Sequence, residues 1–359
     1  MVYGMPYLGS KSAIAEEIIG FLPKGDRLCD LFGGGGAISD CALMSCKYKR
    51  VLYNEFNPQV AKAFKLCSSG KLNIKDSPEY FNWYSREDFF RLKDSDQIIA
   101  LCFSFGSGQR CYAYAKEIEP YKKACHMAIV FDDWVEMEYL CPEVVDEAKK
   151  ALHGIENIYT RRRAFGPAIV RQLKKLNNIE LVKGNPLYSS CHVKKDTKTR
   201  KKDVIRDLQS LQSLVRLERL QSLERLESLQ RLERLERLER LERLQSMERL
   251  ERLEITIGSY ENYQYQEGDV VYCDIPYQNT IAEYGNGFNH KQFYDWASSR
   301  PYEVYISSYQ IDDDRFTEVW NAEKIISICS GRDKKGIERI YCNKADVKKR
   351  LIPVQGELF

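Results

Sequence analysis

The fold of this chain is decided by the stretch Val270-Val271-Tyr272-Cys273-Asp274-Ile275-Pro276-Tyr277. Its apolar, β-branched start predicts a buried strand that ends at a carboxylate, a proline and an aromatic ring. In an open α/β sheet, ligands bind at the carboxyl ends of the strands. Because Pro276 keeps the residue before it extended, the Asp274 carboxylate and the Ile275 carbonyl can face one small donor beside the flat Tyr277 ring. This arrangement suits the exocyclic amine of a nucleobase.

A glycine-rich turn and a strand-end acid lie near the start of the chain. Residues 27–37 predict a short strand, a turn and the start of a helix. This segment contains Asp30, Phe32, Gly33, Gly34 and Gly35. Glycines let the backbone approach a ligand closely, and a helix N-terminus supplies free N–H groups. The next predicted strand, 51–55, ends at Glu55, which can accept hydrogen bonds from ribose hydroxyls. Taken alone, these features indicate a Rossmann fold and also fit a dehydrogenase.

The composition sets limits on partners and location. The chain has 359 residues, enough for one large or two ordinary domains. Its 55 basic and 52 acidic residues leave a net charge of +3, so a nucleic-acid footprint must be a local patch. The twelve cysteines show no Cys-x-x-Cys pair, which indicates reduced thiols and neither a zinc site nor a disulfide framework. With no signal peptide and no long apolar run, we expect a cytoplasmic protein that does not enter membranes.

The middle of the chain, from about 76 to 178, loses the alternation of strands and helices. Aromatic, basic and glycine residues intermix there, a composition that suits contact with DNA phosphates and bases. The candidate DNA-binding residues are Arg110, Lys122, Lys123, Arg161, Arg162 and Arg163. Solvated loops also carry lysine and arginine, so the region as a whole is a stronger candidate than any single residue.

A leucine repeat occupies residues 205–253, where an apolar residue recurs at every third position. The residue types predict a helix, with Glu and Arg at the favourable i,i+4 spacing. A period of three does not hold a fixed stripe on an α-helix, so the leucines circle the axis. We interpret the segment as an expanded repeat inserted into a helix, and self-association through it is one candidate role.

The remaining elements complete an α/β pattern. An amphipathic helix is predicted at about 11–22, strands at 253–260 and 302–309, and a late edge strand at 337–343. His290 follows Asn289 at a predicted helix start, which favours helix capping or exposure over a role as a base.

Asp-Ile-Pro-Tyr at 274–277 resembles the Asp-Pro-Pro-Tyr motif of amino-group DNA methyltransferases. The order of motifs resembles the Dam-type class of DNA adenine-N6 methyltransferases: the cofactor motif comes first, the recognition domain next and the catalytic motif last. The resemblance implies catalysis by Asp274, Ile275, Pro276 and Tyr277 on an adenine flipped out of double-stranded DNA. It also implies S-adenosyl-L-methionine as the cofactor. The cofactor-binding residues that it implies are Tyr7, Gly9, Lys11, Asp30, Phe32, Gly33, Gly34, Gly35, Glu55 and Ser259, the last standing where the family commonly has an acid.

The resemblance also predicts the organisation of the chain. Residues 1–75 and 253–359 would form a Rossmann-like α/β catalytic domain that binds S-adenosylmethionine. Residues 76–178 would form an inserted, mostly helical target-recognition domain, and residues 179–252 a connector with the long repeat helix. We expect a monomer or a weak homo-oligomer formed through 205–253.

Three other functions stay open on the sequence alone. The motif at 274–277 serves cytosine-N4 methylation or an RNA target on the same fold. A weakly active scaffold that binds DNA or self-assembles through the repeat is a second alternative. A Rossmann dehydrogenase is a third, disfavoured by the Asp-Ile-Pro-Tyr strand end.

Overall fold

A computed structural model describes residues 3–7, 9–105, 109–181, 237–239, 241, 251–277, 288–326 and 334–347. The chain divides into two compact units, Met1–Tyr112 with Arg240–Phe359, and Ala113–Glu239. The domain boundaries drawn from the sequence stay predictions. Within the described residues, no helix combines the length and the apolar content that crossing a membrane requires.

The first unit contains a seven-stranded sheet with the order β3-β2-β1-β4-β5-β7-β6. The strands are β1 (Arg27–Asp30), β2 (Arg50–Glu55), β3 (Leu253–Ile257), β4 (Asp269–Asp274), β5 (Val304–Ser308), β6 (Thr317–Ile326) and β7 (Lys334–Cys342). Strands β1 to β5 pair in parallel, whereas β7 pairs antiparallel with both β5 and β6. The order 3-2-1-4-5 is that of the Rossmann arrangement, in which β2 and β3 lie on one side of β1 and β4 and β5 lie on the other. The prediction of an α/β fold is confirmed, and the sheet is compatible with a Rossmann-like fold.

Strand β4 shows why the 270–277 stretch predicts the sheet. Val270 and Tyr272 lie in the core on one side of the sheet, and Val271 and Cys273 lie in the core on the other side. A parallel strand with both faces covered needs a continuous apolar run. The run ends at Asp274, where the strand leaves the core.

One strand position differs from the prediction. The late strand was expected at an edge, but β7 lies between β5 and β6, and β6 is its outer neighbour. Ile340 and Cys342 of β7 are fully buried. Strand β6 was not predicted, because the charged residues of Thr317–Ile326 mask its apolar positions. The charges of β7 itself favoured an edge, and only pairing with β6 places it inside the sheet.

The helices are α1 (Ala15–Phe21), α2 (Ala37–Ser45), α3 (Pro58–Ser68), α4 (Arg86–Leu92), α5 (Gln97–Phe103), α6 (Glu119–Phe131), α7 (Val135–Leu140), α8 (Pro142–Leu152), α9 (Ile158–Leu181) and α10 (His290–Ser298). Short 3₁₀ turns occupy Pro78–Phe81 and Tyr260–Asn262. Helix α1 begins later than predicted, because residues 11–14 form a turn in which the Ile14 N–H donates to the Lys11 carbonyl.

The second unit is described through α6 to α9 and a short helical piece at 237–239. The predicted long helix over the 205–253 repeat otherwise lies outside the described residues, apart from residue 241, also helical, and 251–253.

Candidate active site

The candidate site lies where the strand order of the sheet reverses, between β1 and β4. Asp30 ends β1, and Asp274 ends β4 two residues beyond Tyr272, the register partner of Asp30. The Leu31 N–H donates to the Tyr272 carbonyl and continues the pairing past Asp30. In open α/β sheets, the crevice outside the carboxyl ends at such a switch point binds the ligand. The two predicted acids therefore meet at the position where this fold binds ligands.

The glycine turn between β1 and α2 packs so tightly that side chains are excluded. A Cβ at Gly33 would lie 2.2 Å from the Tyr53 ring, and one at Gly36 would lie 2.1 Å from the Phe64 ring. Gly36 also adopts a left-handed φ of 73° as the residue before α2. A Cβ at Gly35 would lie 2.6 Å from the Cβ of Tyr7. The glycines are thus required by the fold, and Tyr7 lies against the turn.

Glu55 ends β2 as predicted and holds the glycine turn. Its carboxylate accepts hydrogen bonds from the Gly34 N–H at 2.7 Å and from the Asn57 N–H at 2.8 Å. Burial raises the pKa of Glu55, and these backbone donors oppose that shift. One carboxylate therefore links the turn to the β2 strand end, with lone pairs left for a further donor.

Asp30 is a buried carboxylate in which only one of the two oxygens accepts a hydrogen bond from the described residues. It is 1% exposed, and its Oδ2 accepts a hydrogen bond from the Ser39 hydroxyl at 2.8 Å. Its Oδ1 has no hydrogen-bond partner among the described residues. Burial, followed by the charges of Asp274 and Glu55, raises the pKa of Asp30 to about 7. A buried acceptor without a donor is costly, so a donor from a bound ligand would stabilise this carboxylate.

Lys11 lies beside the catalytic candidate. Its Nζ is 2.6 Å from Asp274 Oδ1, 3.9 Å from Glu338 Oε1 and 4.7 Å from the centroid of the Tyr277 ring. The Lys11 side chain is 2% exposed, and that of Asp274 is 22% exposed. Burial lowers the pKa of Lys11, but the two carboxylates outweigh this effect and leave the pKa raised. The ammonium is therefore a permanent counter-ion for Asp274 at neutral pH.

Glu338 on β7 belongs to the same cluster, and the sequence reasoning missed it. Its Oε1 accepts hydrogen bonds from the Tyr277 phenol at 2.5 Å and from the Ser307 hydroxyl at 2.7 Å. A signal was present in the sequence: Glu338 has the same strand parity as Ile340 and Cys342, so an inward-facing β7 places the acid in the core. All three residues are fully buried.

The loop after β4 is held by the start of α10. Asn289 caps the helix by accepting a hydrogen bond from the Gln292 N–H, as its position predicts. His290 has its Nε2 2.6 Å from the Pro276 carbonyl oxygen. His290 therefore supports the motif, and Ile275 inside it is buried at 2% exposure.

The other predicted cofactor residues surround the turn and the end of β3. Ser259 caps the 3₁₀ turn and accepts a hydrogen bond from the Glu261 N–H. Phe32 stacks on Tyr260 with ring centroids 5.4 Å apart. Gly9, which is exposed, has its carbonyl oxygen 3.5 Å from Lys11 Nζ.

One further aromatic residue near the cofactor candidates was not predicted. Phe56 directly follows Glu55 and is 76% exposed. A large apolar ring left in solvent at a strand end is a candidate contact for a planar ligand group. The signal in the sequence was the aromatic residue next to the strand-end acid.

The predicted DNA-binding residues have different environments. Arg110 is exposed, and Lys123 is half-buried with its Nζ 2.5 Å from Glu136. Lys122 is only 2% exposed, and its Nζ lies 5.7 Å from the Tyr114 ring centroid. Burial of Lys122 removes it from direct phosphate contact in this conformation.

The arginines at the start of α9 are engaged within the second unit. Arg161 donates to the backbone carbonyls of Ala128 and Ile129 and pairs with Asp132. Arg162 and Arg163 both pair with Glu239. Arg163 is the most exposed of the three, with 55% of its side chain accessible. The structure thus gives Arg161 a role in joining α9 to the end of α6.

The sheet defines an α/β protein compatible with a Rossmann-like fold, and its two strand-end acids lie at the switch point between β1 and β4. Residues 7–130 match the family described as D12 class N6 adenine-specific DNA methyltransferase. The match confirms the resemblance drawn from the sequence and indicates an adenine-specific DNA methyltransferase enzyme that acts on the N6 amine. No curated protein matches the chain. The family match includes the glycine turn and Glu55 and ends before the stretch at 270–277.

Proposed function

We propose that this chain transfers a methyl group from S-adenosylmethionine to the N6 amine of an adenine flipped out of double-stranded DNA, with Asp274 as the catalytic carboxylate. The observation that carries the proposal is the pairing of two acids at one switch point. Asp274 is held by the buried ammonium of Lys11, and Asp30, on the neighbouring strand, has a buried oxygen without a donor. Asp274 suits the target amine, and Asp30 suits the cofactor.

The residues at the end of β1 and β2 fit the cofactor. Asp30 Oδ1 is an acceptor that the ammonium group of the methionine moiety would satisfy. Glu55 has acceptor capacity for ribose hydroxyls, and the exposed ring of Phe56 offers a flat face for the adenine. When bound, S-adenosylmethionine would supply an electrophilic methyl group on a sulfonium centre: the N–C bond forms as the S–C bond breaks, S-adenosylhomocysteine leaves, and the amine loses one proton to solvent. Methyltransferases of this family use this donor generally.

The chemistry asked of the protein is mainly orientation. The adenine amine is a poor nucleophile because its lone pair is delocalised into the ring. If Asp274 and the Ile275 carbonyl each accept one N–H bond, the nitrogen is drawn toward tetrahedral geometry and its lone pair is directed outward. Lys11 keeps the carboxylate charged and in place, so Asp274 does not have to be oriented during the reaction. In this proposal Lys11 serves Asp274 rather than the cofactor.

The substrate reaches this site only outside the double helix. An adenine inside a duplex is stacked and paired, so the target base has to be flipped, and the Tyr277 ring is the stacking surface proposed for it. The family implies DNA as the substrate. For phosphate contacts the exposed candidates are Arg110, Arg163 and the partly exposed Lys123, within the target-recognition region proposed for 76–178.

The test is methyl transfer from labelled S-adenosylmethionine to unmethylated plasmid DNA, with the modified nucleoside identified by mass spectrometry. We expect N6-methyladenine from the wild type and a rate at least about 100-fold lower for Asp274→Ala, which removes the acceptor. The matched control is Asp314→Ala, an exposed aspartate in the loop before β6. Calorimetry should show that Asp274→Ala still binds the cofactor.

Two results would count against the proposal. N4-methylcytosine as the product would move the activity to the cytosine alternative. A wild type that binds the cofactor but methylates no DNA would reject the proposed function.

A further inference from the structure

Glu338 is a buried acid that the proposed chemistry does not use directly. Its Oε1 lies 2.5 Å from the Tyr277 hydroxyl, 2.7 Å from the Ser307 hydroxyl and 3.9 Å from Lys11 Nζ. Its Oε2 has no hydrogen-bond partner among the described residues. Two neutral donors and one distant cation leave this carboxylate incompletely compensated.

An acid at this position needs a reason beyond the stability of the sheet. Its neighbours on the same face of β7, Ile340 and Cys342, are fully buried, so an apolar side chain would suit position 338. Moving a carboxylate out of water costs several kcal/mol, and a buried ion pair often gains nothing over packed apolar residues. The buried charge of Glu338 therefore lies next to Tyr277, which stacks on the target base in the proposed mechanism, and next to Lys11, which pairs with Asp274.

The geometry around Lys11 suggests what Glu338 does. The ammonium lies between two carboxylates, close to Asp274 and farther from Glu338. An adenine amine can donate to Asp274 while Lys11 stays at Oδ1, because the carboxylate has a second oxygen that accepts hydrogen bonds. A second carboxylate 3.9 Å from the ammonium favours its charged form, so Glu338 supports Lys11 as the counter-ion of Asp274.

We propose that Glu338 is a positioning residue for methyl transfer. It fixes the Tyr277 ring through the phenol, and its charge helps to keep Lys11 a protonated counter-ion of Asp274. This inference rests on the proposed function and adds to it a residue on β7, outside the motif at 274–277. A purely structural role for Glu338 would change stability and leave the rate of the chemical step unaltered.

The first test uses Glu338→Gln, which keeps the shape and one acceptor oxygen and removes the charge facing Lys11. Single-turnover methylation of plasmid DNA, with cofactor and DNA saturating, should slow about 10- to 100-fold, the range of one buried charge-assisted hydrogen bond. Dissociation constants for S-adenosylmethionine and DNA should stay within about threefold, because Glu338 contacts neither in this mechanism. The control is Glu323→Gln, an exposed glutamate on the neighbouring strand β6.

A double-mutant cycle then tests whether Glu338 affects the rate of methyl transfer through the Tyr277 hydroxyl. Tyr277→Phe keeps the ring but removes the hydroxyl that donates to Glu338. If Glu338 acts through Tyr277, the double variant should be slowed about as much as the slower single variant, and the two factors should not multiply.

Three outcomes would overturn the inference. One is a Glu338→Gln rate equal to that of the wild type, measured with folded protein. Another is a Glu338→Gln variant that loses affinity for the cofactor or DNA while its rate of methyl transfer is unchanged. A third is a double variant whose rate reduction equals the product of the reductions in Glu338→Gln and Tyr277→Phe. A wild type without methyl transfer would instead reject the proposed function and, with it, the reaction that Glu338 is proposed to serve.

Discussion

Replacing Lys11 by methionine should show how much a buried ion pair contributes to stability, in comparison with a surface ion pair of the same protein. Methionine keeps an unbranched stem in the space that the lysine occupies and removes the ammonium. The change removes the ammonium that lies 2.6 Å from Asp274 and 3.9 Å from Glu338.

The magnitude follows from the burial of the pair. Removing one partner of a buried pair typically costs about 3–5 kcal/mol, because the other charge remains without compensation. The Asp274 side chain keeps 22% of its exposure, so water offsets part of that cost. We therefore expect Lys11→Met to lower the free energy of unfolding by about 3 kcal/mol at neutral pH.

The control is Lys49→Met, which removes a surface pair of nearly the same length. Lys49 Nζ is 2.7 Å from Asp26 Oδ1, but the two side chains are 81% and 54% exposed. Exposed pairs are screened by water and salt and contribute little to stability. The two variants thus differ in burial and not in the geometry of the ion pair.

The assay is urea denaturation of the wild type and both variants, with methylation measured in parallel. The expected result is a large loss of stability and of activity for Lys11→Met and little change for Lys49→Met. Equal stabilities for the two variants would refute the argument that burial increases the contribution of the Lys11–Asp274 pair to the free energy of unfolding. Normal activity of folded Lys11→Met would refute its role as counter-ion of Asp274.

Two further predictions concern the cofactor side. Because burial raises the pKa of Asp30 to about 7, above roughly 3.9 in the unfolded chain, the folded protein binds this proton more tightly and loses stability as the pH rises from about 4 to 7. Asp30→Asn should remove that loss in urea denaturation at pH 5 to 8, and an unchanged dependence of the free energy of unfolding on pH would contradict this prediction. In the wild type, the affinity for S-adenosylmethionine measured by calorimetry should increase over pH 5.5 to 7, since binding to the ionised acid releases the proton. Gly35→Ala should destabilise the protein by about 1–3 kcal/mol and weaken cofactor binding, because its Cβ would lie 2.6 Å from Tyr7 Cβ and 2.8 Å from the Met5 carbonyl. The control is Gly20→Ala in helix α1, where the added Cβ meets nothing within 4 Å, and this variant should be neutral or slightly stabilising. Thermal unfolding of both variants is the measurement, and similar losses of stability for Gly35→Ala and Gly20→Ala would reject the steric argument.

Local patterns in the sequence were enough to identify the main parts of the catalytic sheet. The apolar run at 270–273 predicts a strand buried on both faces, and the strand-end acids Asp30, Glu55 and Asp274 lie where those runs stop. This works because burial and side-chain alternation are properties of a few neighbouring residues, and because parallel strands place their carboxyl ends at one edge. The motif at 274–277, with the glycine turn, also indicated the methyltransferase class that the family match supports.

The tertiary structure decided which distant residues meet. Lys11 and Asp274 are 263 residues apart in the chain, and their 2.6 Å contact places beside the proposed catalytic acid a lysine that the family resemblance implies for the cofactor. The inner position of β7, and with it the place of Glu338 behind Tyr277, depends on pairing with β6, whose charged sequence does not predict a strand. Pairing between strands and the sharing of a counter-ion are set by packing across the whole sheet, so no local stretch of the chain encodes them.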